Sequence, residues 1–135
     1  MDDVEAIKQL KARYFRTMDS KDWAGMRRVF TDDVVMDTTS SGGGVIAGGD
    51  EFLAFLEPTL EGVVTVHHGH MPEIEITSET TATGIWAMED KLWMPAGSPF
   101  RMLHGFGHHH ETYVRLDGRW RIRTIKLSRL HIEVG

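Results

Sequence analysis

Residues 81–93, TATGIWAMEDKLW, contain the alternation that decides the fold. Trp86, Met88, Asp90 and Leu92 occupy every second position, and side chains two residues apart in a β-strand face the same side of the sheet. Three of these four side chains are large and apolar, so the segment is predicted to be a strand with one buried face. The same period of two predicts four further strands: Val63–His68, Glu73–Thr77, Leu103–Leu116 and Arg119–Val134.

Upstream of these strands, apolar residues recur every three to four positions, which is typical of helices with one buried face. This spacing predicts three helices: Asp3–Met18, Trp23–Phe30 and Asp50–Leu56. A brief strand is predicted at Val34–Asp37, and the glycines of Thr38–Gly49 predict a loop. Downstream, Asp117-Gly118 is a strong hairpin signal, because such a turn needs positive φ angles. Helices followed by long antiparallel strands indicate an α+β fold, with the helices packed on one side of a bent sheet that can enclose a cavity.

The composition limits the class of protein. The 135 residues fit one domain, 1–135, and 41% hydrophobic with 26% charged residues is the balance of a soluble globular protein. The net charge of −5 makes nucleic acid an unfavourable partner, and the absence of cysteine excludes disulfides, thiol catalysis and cysteine-ligated zinc. The opening residues are acidic, and no apolar run approaches the ~20 residues of a membrane span. A cytoplasmic location without membrane contact is therefore expected.

Several polar residues interrupt the apolar patterns. Asp90 lies on the apolar face of its strand, where a carboxylate must be paired, be protonated or face a cavity, unless the strand end emerges into solvent. Tyr14 lies on the apolar stripe of the first helix and Asp19 at its end, although core packing and a helix-end turn explain each of them alone. Arg129 points inward if a bulge lies near Arg123-Thr124, where the apolar parity of the last strand switches, and is otherwise an edge residue.

The histidines cluster on two predicted strands. Alternation places His68 and His70 on one face and His67 on the other, although a single bulge would exchange the faces. His108 and His110 likewise share a face, and the two His-x-His pairs could together hold a divalent metal. The glutamates lack the spacing of a metal-binding cupin, and there is no His-Glu-x-x-His helix. No metal site is therefore predicted, and a metal protein stays an alternative.

Several segments, by their order and spacing, give the chain a resemblance to a known family. They are Ile7–Met18, Lys21–Val34, His67–Ile74 and Tyr113–Ile122. Over nearly its full length the sequence resembles the SnoaL-like branch of the nuclear-transport-factor-two-like superfamily. The resemblance implies a single SnoaL-like domain folded as a cone, in which a highly curved antiparallel sheet wraps around a pocket that the N-terminal helices close.

The resemblance also implies chemistry and site residues. The superfamily includes scytalone dehydratase, bile-acid 7α-dehydratase, hexachlorocyclohexane dehydrochlorinase, polyketide cyclases and ketosteroid isomerase. The dehydratase and dehydrochlorinase members pair an aspartate at a helix end with a strand histidine as the base, and add an acid that is often a tyrosine. Asp19, His67 and Tyr14 lie at the corresponding positions, and Asp90 and Arg129 resemble pocket residues of the bile-acid enzyme.

Together these features predict a cofactor-independent lyase or isomerase, of dehydratase or cyclase type, that acts on a hydrophobic polycyclic or aromatic small molecule with an Asp-His general base. The predicted pocket lining is Trp23, Trp86, Met88, Leu92, Phe106, His108 and His110. A non-catalytic small-molecule-binding domain of the same fold is the first alternative, and a histidine-ligated metal protein is the second. The open sheet face of this fold is expected to pack against a second copy, which predicts a homodimer or homotrimer. The sequence leaves open whether the loop Gly42–Gly49 is a lid.

Overall fold

Three α-helices and six β-strands follow one another along residues 1–135, all of which the computed structural model describes. In chain order they are α1 (Asp3–Asp19), α2 (Trp23–Arg27), β1 (Phe30–Asp37), β2 (Val45–Ala47), α3 (Gly49–Thr59), β3 (Val64–Ile76), β4 (Thr81–Trp93), β5 (Met102–Leu116) and β6 (Arg119–Val134), with a 3-10 turn at Thr39–Ser41 between β1 and β2. The predicted α+β class is confirmed. None of the helices combines the length and the apolar character that crossing a membrane requires.

The strands form one sheet in the order β2-β1-β6-β5-β4-β3, so β2 and β3 are its two edges. Neighbouring strands run antiparallel, as predicted, except that β1 runs parallel to β6. Alternation along a strand shows which side chains share a face, but it carries no information about the direction of the neighbouring strand. The sheet is therefore mixed at one position where the sequence predicts a purely antiparallel arrangement.

The strands β4 and β6 have the predicted bounds, whereas β3 joins two segments that the Met71-Pro72 pair predicts to be separate. The register of β3 against β4 shifts between His70 and Glu73, so the predicted break is a bulge within one strand. Proline has no amide hydrogen to donate, and a bulge on an edge strand tolerates that loss. The second helix is shorter than predicted because Phe30 already belongs to β1.

The core lies between the helices and the sheet face that they cover, which is called the inner face below. A cluster of 20 buried residues fills this space. Helix α1 contributes the apolar stripe predicted from its spacing: Ile7, Leu10, Tyr14, Phe15 and Met18. The side chain of Asp2 caps this helix by accepting a hydrogen bond from the backbone N–H of Glu5 at 2.8 Å. Lys11 lies on the same buried side of the helix and is only 1% exposed.

Two bulges in β6 set the direction of its side chains. The register against β5 shifts twice, with Arg123 and Leu130 as the extra residues. The first shift confirms the bulge predicted near Arg123-Thr124. Between the bulges, Leu127 and Arg129 lie on the inner face, where they reach the cavity that forms the candidate site.

Candidate active site

A cavity of about 250 Å³ lies between the inner face of the sheet and the helices α1 and α3. Its apolar wall comes from both layers: Met18, Met36, Phe52, Leu56, Met88, Leu92 and Leu127. Its titratable side chains are Tyr14, His67, Asp90, His109 and Arg129. An apolar cavity with a few convergent polar groups is the usual form of a small-molecule site.

Asp19 and His67 form a hydrogen-bonded pair at the cavity wall. Asp19 is the last residue of α1, and its Oδ1 accepts from Nδ1 of His67 at 2.7 Å and from the hydroxyl of Thr65 at 2.9 Å. Its Oδ2 accepts from the backbone N–H of His67 at 2.8 Å. Three donors therefore hold the carboxylate in one orientation, and the carboxylate in turn keeps the proton of neutral His67 on Nδ1.

The second ring nitrogen of His67, Nε2, has no hydrogen-bond partner within the protein and is not fully buried. His67 lines this cavity and also a surface pocket beside α1, so the lone pair of Nε2 is open to a molecule in one of these two spaces. His67 faces inward because it pairs with Asp90 of β4, whereas His68 pairs with Glu89 and faces outward. This register answers the question of faces that the sequence leaves open.

Tyr14 presents a free hydroxyl to the same cavity. Its ring is buried and makes edge-to-face contacts with two phenylalanines and a histidine, but the hydroxyl has no hydrogen-bond partner in the protein. Burial raises the pKa of Tyr14 well above its usual range, and the negative charges of Glu111, Asp90 and Asp19 raise it further. Tyr14 therefore keeps its proton and serves as a hydrogen-bond donor.

Asp90 and Arg129 form a two-point ion pair in the cavity wall. Nη1 of Arg129 lies 2.6 Å from Oδ1 of Asp90, and Nη2 lies 3.0 Å from Oδ2. Gly105 of β5 stands against this pair, and a Cβ atom there would collide with both side chains. Arg129 also holds the loop after β1, since its Nε donates to the hydroxyl of Ser41 at 3.1 Å and its backbone N–H donates to that of Ser40 at 2.9 Å.

A second polar group lies between α1 and β5 and reaches the cavity through one member. Nζ of Lys11 lies 2.8 Å from Nδ1 of His109 and also pairs with Oε2 of Glu111. Oε1 of Glu111 accepts from the hydroxyl of Tyr113 at 2.6 Å. That hydroxyl in turn accepts from Nε1 of Trp86 at 2.9 Å. The five side chains form a continuous buried network that ends at the cavity with His109.

Burial dominates the electrostatics of this network. It lowers the pKa of Lys11, while the charge and hydrogen bond of Glu111 oppose that shift. It also holds the pKa of His109 well below its usual range, and the positive charge of Lys11 adds to the effect. His109 is therefore neutral, and Lys11 and Glu111 depend on each other, since either charge alone would be buried without compensation.

The sequence patterns do not single out Lys11, His109 or Glu111, although two signals point to them. Lys11 lies four residues after Ile7, which places it on the apolar stripe of α1. His109 and Glu111 alternate with Tyr113, so the three side chains share the inner face of β5. Buried lysine and glutamate are rare enough that both signals favour a solvent-exposed interpretation until the partner is known.

The predicted pocket lining is only partly correct. Met88 and Leu92 line the cavity, and five predicted residues do not: Trp23, Trp86, Phe106, His108 and His110. In β5 the register sets Gly105 and Gly107 opposite inward-facing residues of β4, so the even-numbered residues beside them lie on the outer face. This corrects the prediction for Phe106, His108 and His110. Trp86 faces inward but bonds within the buried network, and Trp23 packs against the core from α2.

The histidines of the alternative metal site do not converge. His68 and His70 belong to β3, His108 and His110 belong to β5, and β4 lies between these two strands. On the outer face His70 instead approaches Glu89, with Nε2 at 3.4 Å from Oε1. No group of three or more histidine, aspartate or glutamate side chains is arranged to hold a metal ion.

The buried, neutral His109 should make the stability of the fold depend on pH. An unfolded histidine takes up a proton near pH ~6.5, whereas folded His109 does not, because its pKa is lowered by burial and by Lys11. The unfolded state therefore binds more protons below that pH. This residue alone should lower the unfolding free energy by about 1.4 kcal/mol per pH unit as the pH falls from ~6.5 towards its folded pKa.

Urea denaturation across this pH range measures the effect, with His109→Gln as the comparison. The variant should lose stability less steeply on acidification than the wild type, because the titrating group is gone. Equal slopes in the two proteins would contradict the assignment of a neutral His109.

A six-stranded sheet with its helices packed over one face, around a small apolar cavity, is the arrangement of the cone folds. Residues 1–126 match the family model of the SnoaL-like domain, and the chain therefore belongs to the SnoaL-like family. This confirms the resemblance to the SnoaL-like branch of the nuclear-transport-factor-two-like superfamily.

One curated protein and several solved structures are similar to this chain. The chain is 25% identical to a probable cyclase, FGR4, of Gibberella zeae over 138 aligned positions, which cover 93% of this chain and 89% of the cyclase. A protein of Kribbella flavida, Kfla4162, has a TM-score of 0.87 at 24% identity, with 97% and 93% of the two chains covered. A putative scytalone dehydratase of Novosphingobium aromaticivorans has a TM-score of 0.87 at 20% identity (98% and 87% covered). A hexachlorocyclohexane dehydrochlorinase has a TM-score of 0.84 at 19% identity (97% and 87% covered).

Proposed function

We propose that this protein is a cofactor-independent lyase or isomerase that removes a proton from a carbon atom of a small hydrophobic ring compound, with His67 as the general base. The observation that carries the proposal is the Asp19–His67 pair. Asp19 holds Nδ1 of the imidazole at 2.7 Å, Nε2 has no partner within the protein, and His67 lines the cavity. The names of the relatives support the reaction class, because they include a cyclase, a putative scytalone dehydratase and a dehydrochlorinase.

The hydrogen bond between Asp19 and His67 is the arrangement that a histidine general base requires. With its proton on Nδ1, neutral His67 offers only a lone pair at Nε2, and an imidazole is suited to accept a proton at neutral pH. When Nε2 takes the proton from carbon, the imidazolium forms beside the Asp19 carboxylate, which stabilises it.

The other polar side chains interact with the negative charge that develops when the carbon atom loses its proton. In an elimination, the electron pair of the broken C–H bond forms the new double bond, while the leaving group departs with its own electron pair. In an isomerisation, the same electron pair is delocalised onto an oxygen. Tyr14, which keeps its proton, donates a hydrogen bond to the oxygen or leaving group in either case. Arg129 and Asp90 pair with each other and line the cavity, and we assign them to positioning the substrate rather than to proton exchange.

The size of the cavity limits the size of the substrates that fit it. Its volume of about 250 Å³ is somewhat below the range of roughly 300–1,000 Å³ typical of sites for drug-sized ligands. A compound with one or two rings suits this space better than a polycyclic one. The apolar walls and the few polar groups favour a largely hydrocarbon skeleton with one or two oxygen or halogen substituents.

A screen in deuterated water tests the proposal. The screen uses one- and two-ring compounds of two kinds. The first kind has an acidic C–H bond next to a carbonyl, and the second has a hydroxyl or chloride on the carbon atom next to the C–H group. NMR follows elimination and deuterium incorporation. The wild type should convert at least one compound class, and His67→Ala should be slower by about 10²–10⁴-fold, the usual contribution of a general base.

His68→Ala is the matched control, because His68 neighbours His67 on β3 but faces outward. This variant should keep wild-type activity. If His67→Ala retained the full rate, the proposed base would be wrong. Binding of the compounds without conversion by the wild type would instead favour the alternative of a non-catalytic small-molecule-binding domain.

A further inference from the structure

His109 differs from His67 in the hydrogen-bond partner of its Nδ1 atom. Nδ1 of His109 lies 2.8 Å from Nζ of Lys11, which also pairs with Glu111. The side chains of Lys11 and Glu111 are only 1% and 0% exposed, and they contact each other as an ammonium–carboxylate ion pair in which each charge compensates the other. An ammonium group has only donors. Nδ1 of His109 is therefore the acceptor, and the proton of the neutral ring resides on Nε2.

The Nε2–H group of His109 is directed at the cavity. It has no hydrogen-bond partner within the protein, and its nitrogen atom is not fully buried. His109 lines the cavity although it is only 5% exposed, so the accessible part of the ring is the part that meets the cavity. A donor left unpaired in such a place favours a ligand that brings an acceptor.

We propose that His109 is a substrate-contacting hydrogen-bond donor, which binds a carbonyl, enolate or phenolate oxygen through Nε2–H while Lys11 and Glu111 fix its tautomer. This inference rests on the proposed function for the role of His67 and deepens it by naming the substrate class. The substrate is an oxygen compound whose oxygen becomes negatively charged when carbon loses its proton. His109 gives a hydrogen bond only, so it transfers no proton and stays neutral through the reaction.

The charged surroundings of His109 keep it in this role. Lys11 and Tyr14 face it from α1, His67 from β3, Arg129 from β6 and Glu111 from its own strand. Burial lowers the pKa of His109, and the positive charges of Lys11 and Arg129 lower it further. The two cavity histidines therefore have opposite functions: the nitrogen that His67 presents accepts a proton, and the nitrogen that His109 presents donates a hydrogen bond.

Nitrogen-15 NMR of the wild type tests the tautomers without any substrate. The expected result is a neutral His109 protonated on Nε2 and, at a pH where it is neutral, a His67 protonated on Nδ1. A His109 that is protonated on Nδ1, or that is charged at neutral pH, would overturn the proposal. This measurement needs no variant, so it stands even if a substitution at the site prevents folding.

Binding of two probes tests the contact with oxygen. 4-Nitrophenol, ionised at a mildly alkaline pH, supplies a phenolate oxygen, and 4-nitrotoluene has a methyl group in its place. The wild type should bind 4-nitrophenol more tightly than 4-nitrotoluene. His109→Leu should weaken 4-nitrophenol by about 10–100-fold, in line with a hydrogen bond to a charged group, and should leave 4-nitrotoluene unchanged.

His109→Gln is the matched control, because a glutamine can accept from Lys11 with its oxygen and donate into the cavity with its amide nitrogen. This variant should recover most of the preference for 4-nitrophenol. The proposal is wrong if the wild type does not discriminate between the probes, or if His109→Leu weakens both equally. Because neither probe is converted, these results are independent of the test of His67 as the base.

Discussion

Asp19→Asn should reduce turnover about 10³–10⁴-fold, the scale expected when a base histidine is left in the wrong tautomer. The reason lies in the three donors around the carboxylate. The backbone N–H of His67 can only donate, so the amide oxygen of an asparagine must turn towards it. The amide NH₂ then faces Nδ1 of His67, which becomes an acceptor. The proton of the ring moves to Nε2, the nitrogen that should receive the proton from the substrate.

Steady-state kinetics on a compound found in the screen, together with the His67 tautomer by nitrogen-15 NMR, measure this effect. Ligand affinity should change little, because Asp19 itself does not line the cavity. Glu89→Gln is the matched control, since it removes the same charge from the outer face of the sheet. An Asp19→Asn protein with normal turnover would show that the carboxylate does not orient the base.

Lys11→Met should lower the unfolding free energy by about 3–5 kcal/mol, which is a large part of the stability of a domain of this size. Methionine fills much of the space of the lysine stem and suits the neighbouring rings, since Nζ lies 4.1 Å from the ring centroid of Tyr14 and 4.7 Å from that of Phe15. The loss therefore comes from Glu111, whose carboxylate would remain buried with no positive partner. The same change removes the donor that orients His109.

Urea denaturation separates this electrostatic cost from a packing defect. The double variant Lys11→Met/Glu111→Gln should recover most of the lost stability, because glutamine is neutral and can still accept from Tyr113. Lys8→Met, at an exposed position on the same helix, should change the stability by less than about 0.5 kcal/mol. If the double variant were as unstable as Lys11→Met, the buried charge would not be the cause.

Some parts of the site follow from the sequence because they depend on local pattern. Asp90 interrupts an apolar face of β4, and the alternation places it correctly on the inner face. The parity switch in β6 reveals the bulge beside Arg123 and so predicts the inward direction of Arg129. Both inferences need only the neighbouring residues of one strand.

Other parts depend on how distant segments meet, and the sequence could not reveal them. The face of His67 depends on the position of the bulge in β3. Because this bulge lies after His70, His67 stays paired with Asp90 and shares its inner face. In β5 the prediction chose the aromatic and histidine positions for the cavity, but the register turns Gly105 and Gly107 inward. Glycine is required at Gly105 because the Asp90–Arg129 pair occupies the space of a side chain. The partner of a buried charge is likewise set by packing rather than by spacing.

The position of β6 in the sheet has a consequence for biosynthesis. This strand follows every other element in the sequence, yet it lies between β1 and β5, and it carries Arg129. On the ribosome, β1 and the helices must therefore wait for β6, which arrives after β3, β4 and β5 have been made, and contacts of such long sequence separation form slowly. Until then the apolar side of α1 has no complete sheet to cover. A nascent chain that exposes this apolar surface is prone to aggregation, and a truncation within β6 would remove the neighbour of β1 and part of the cavity wall together.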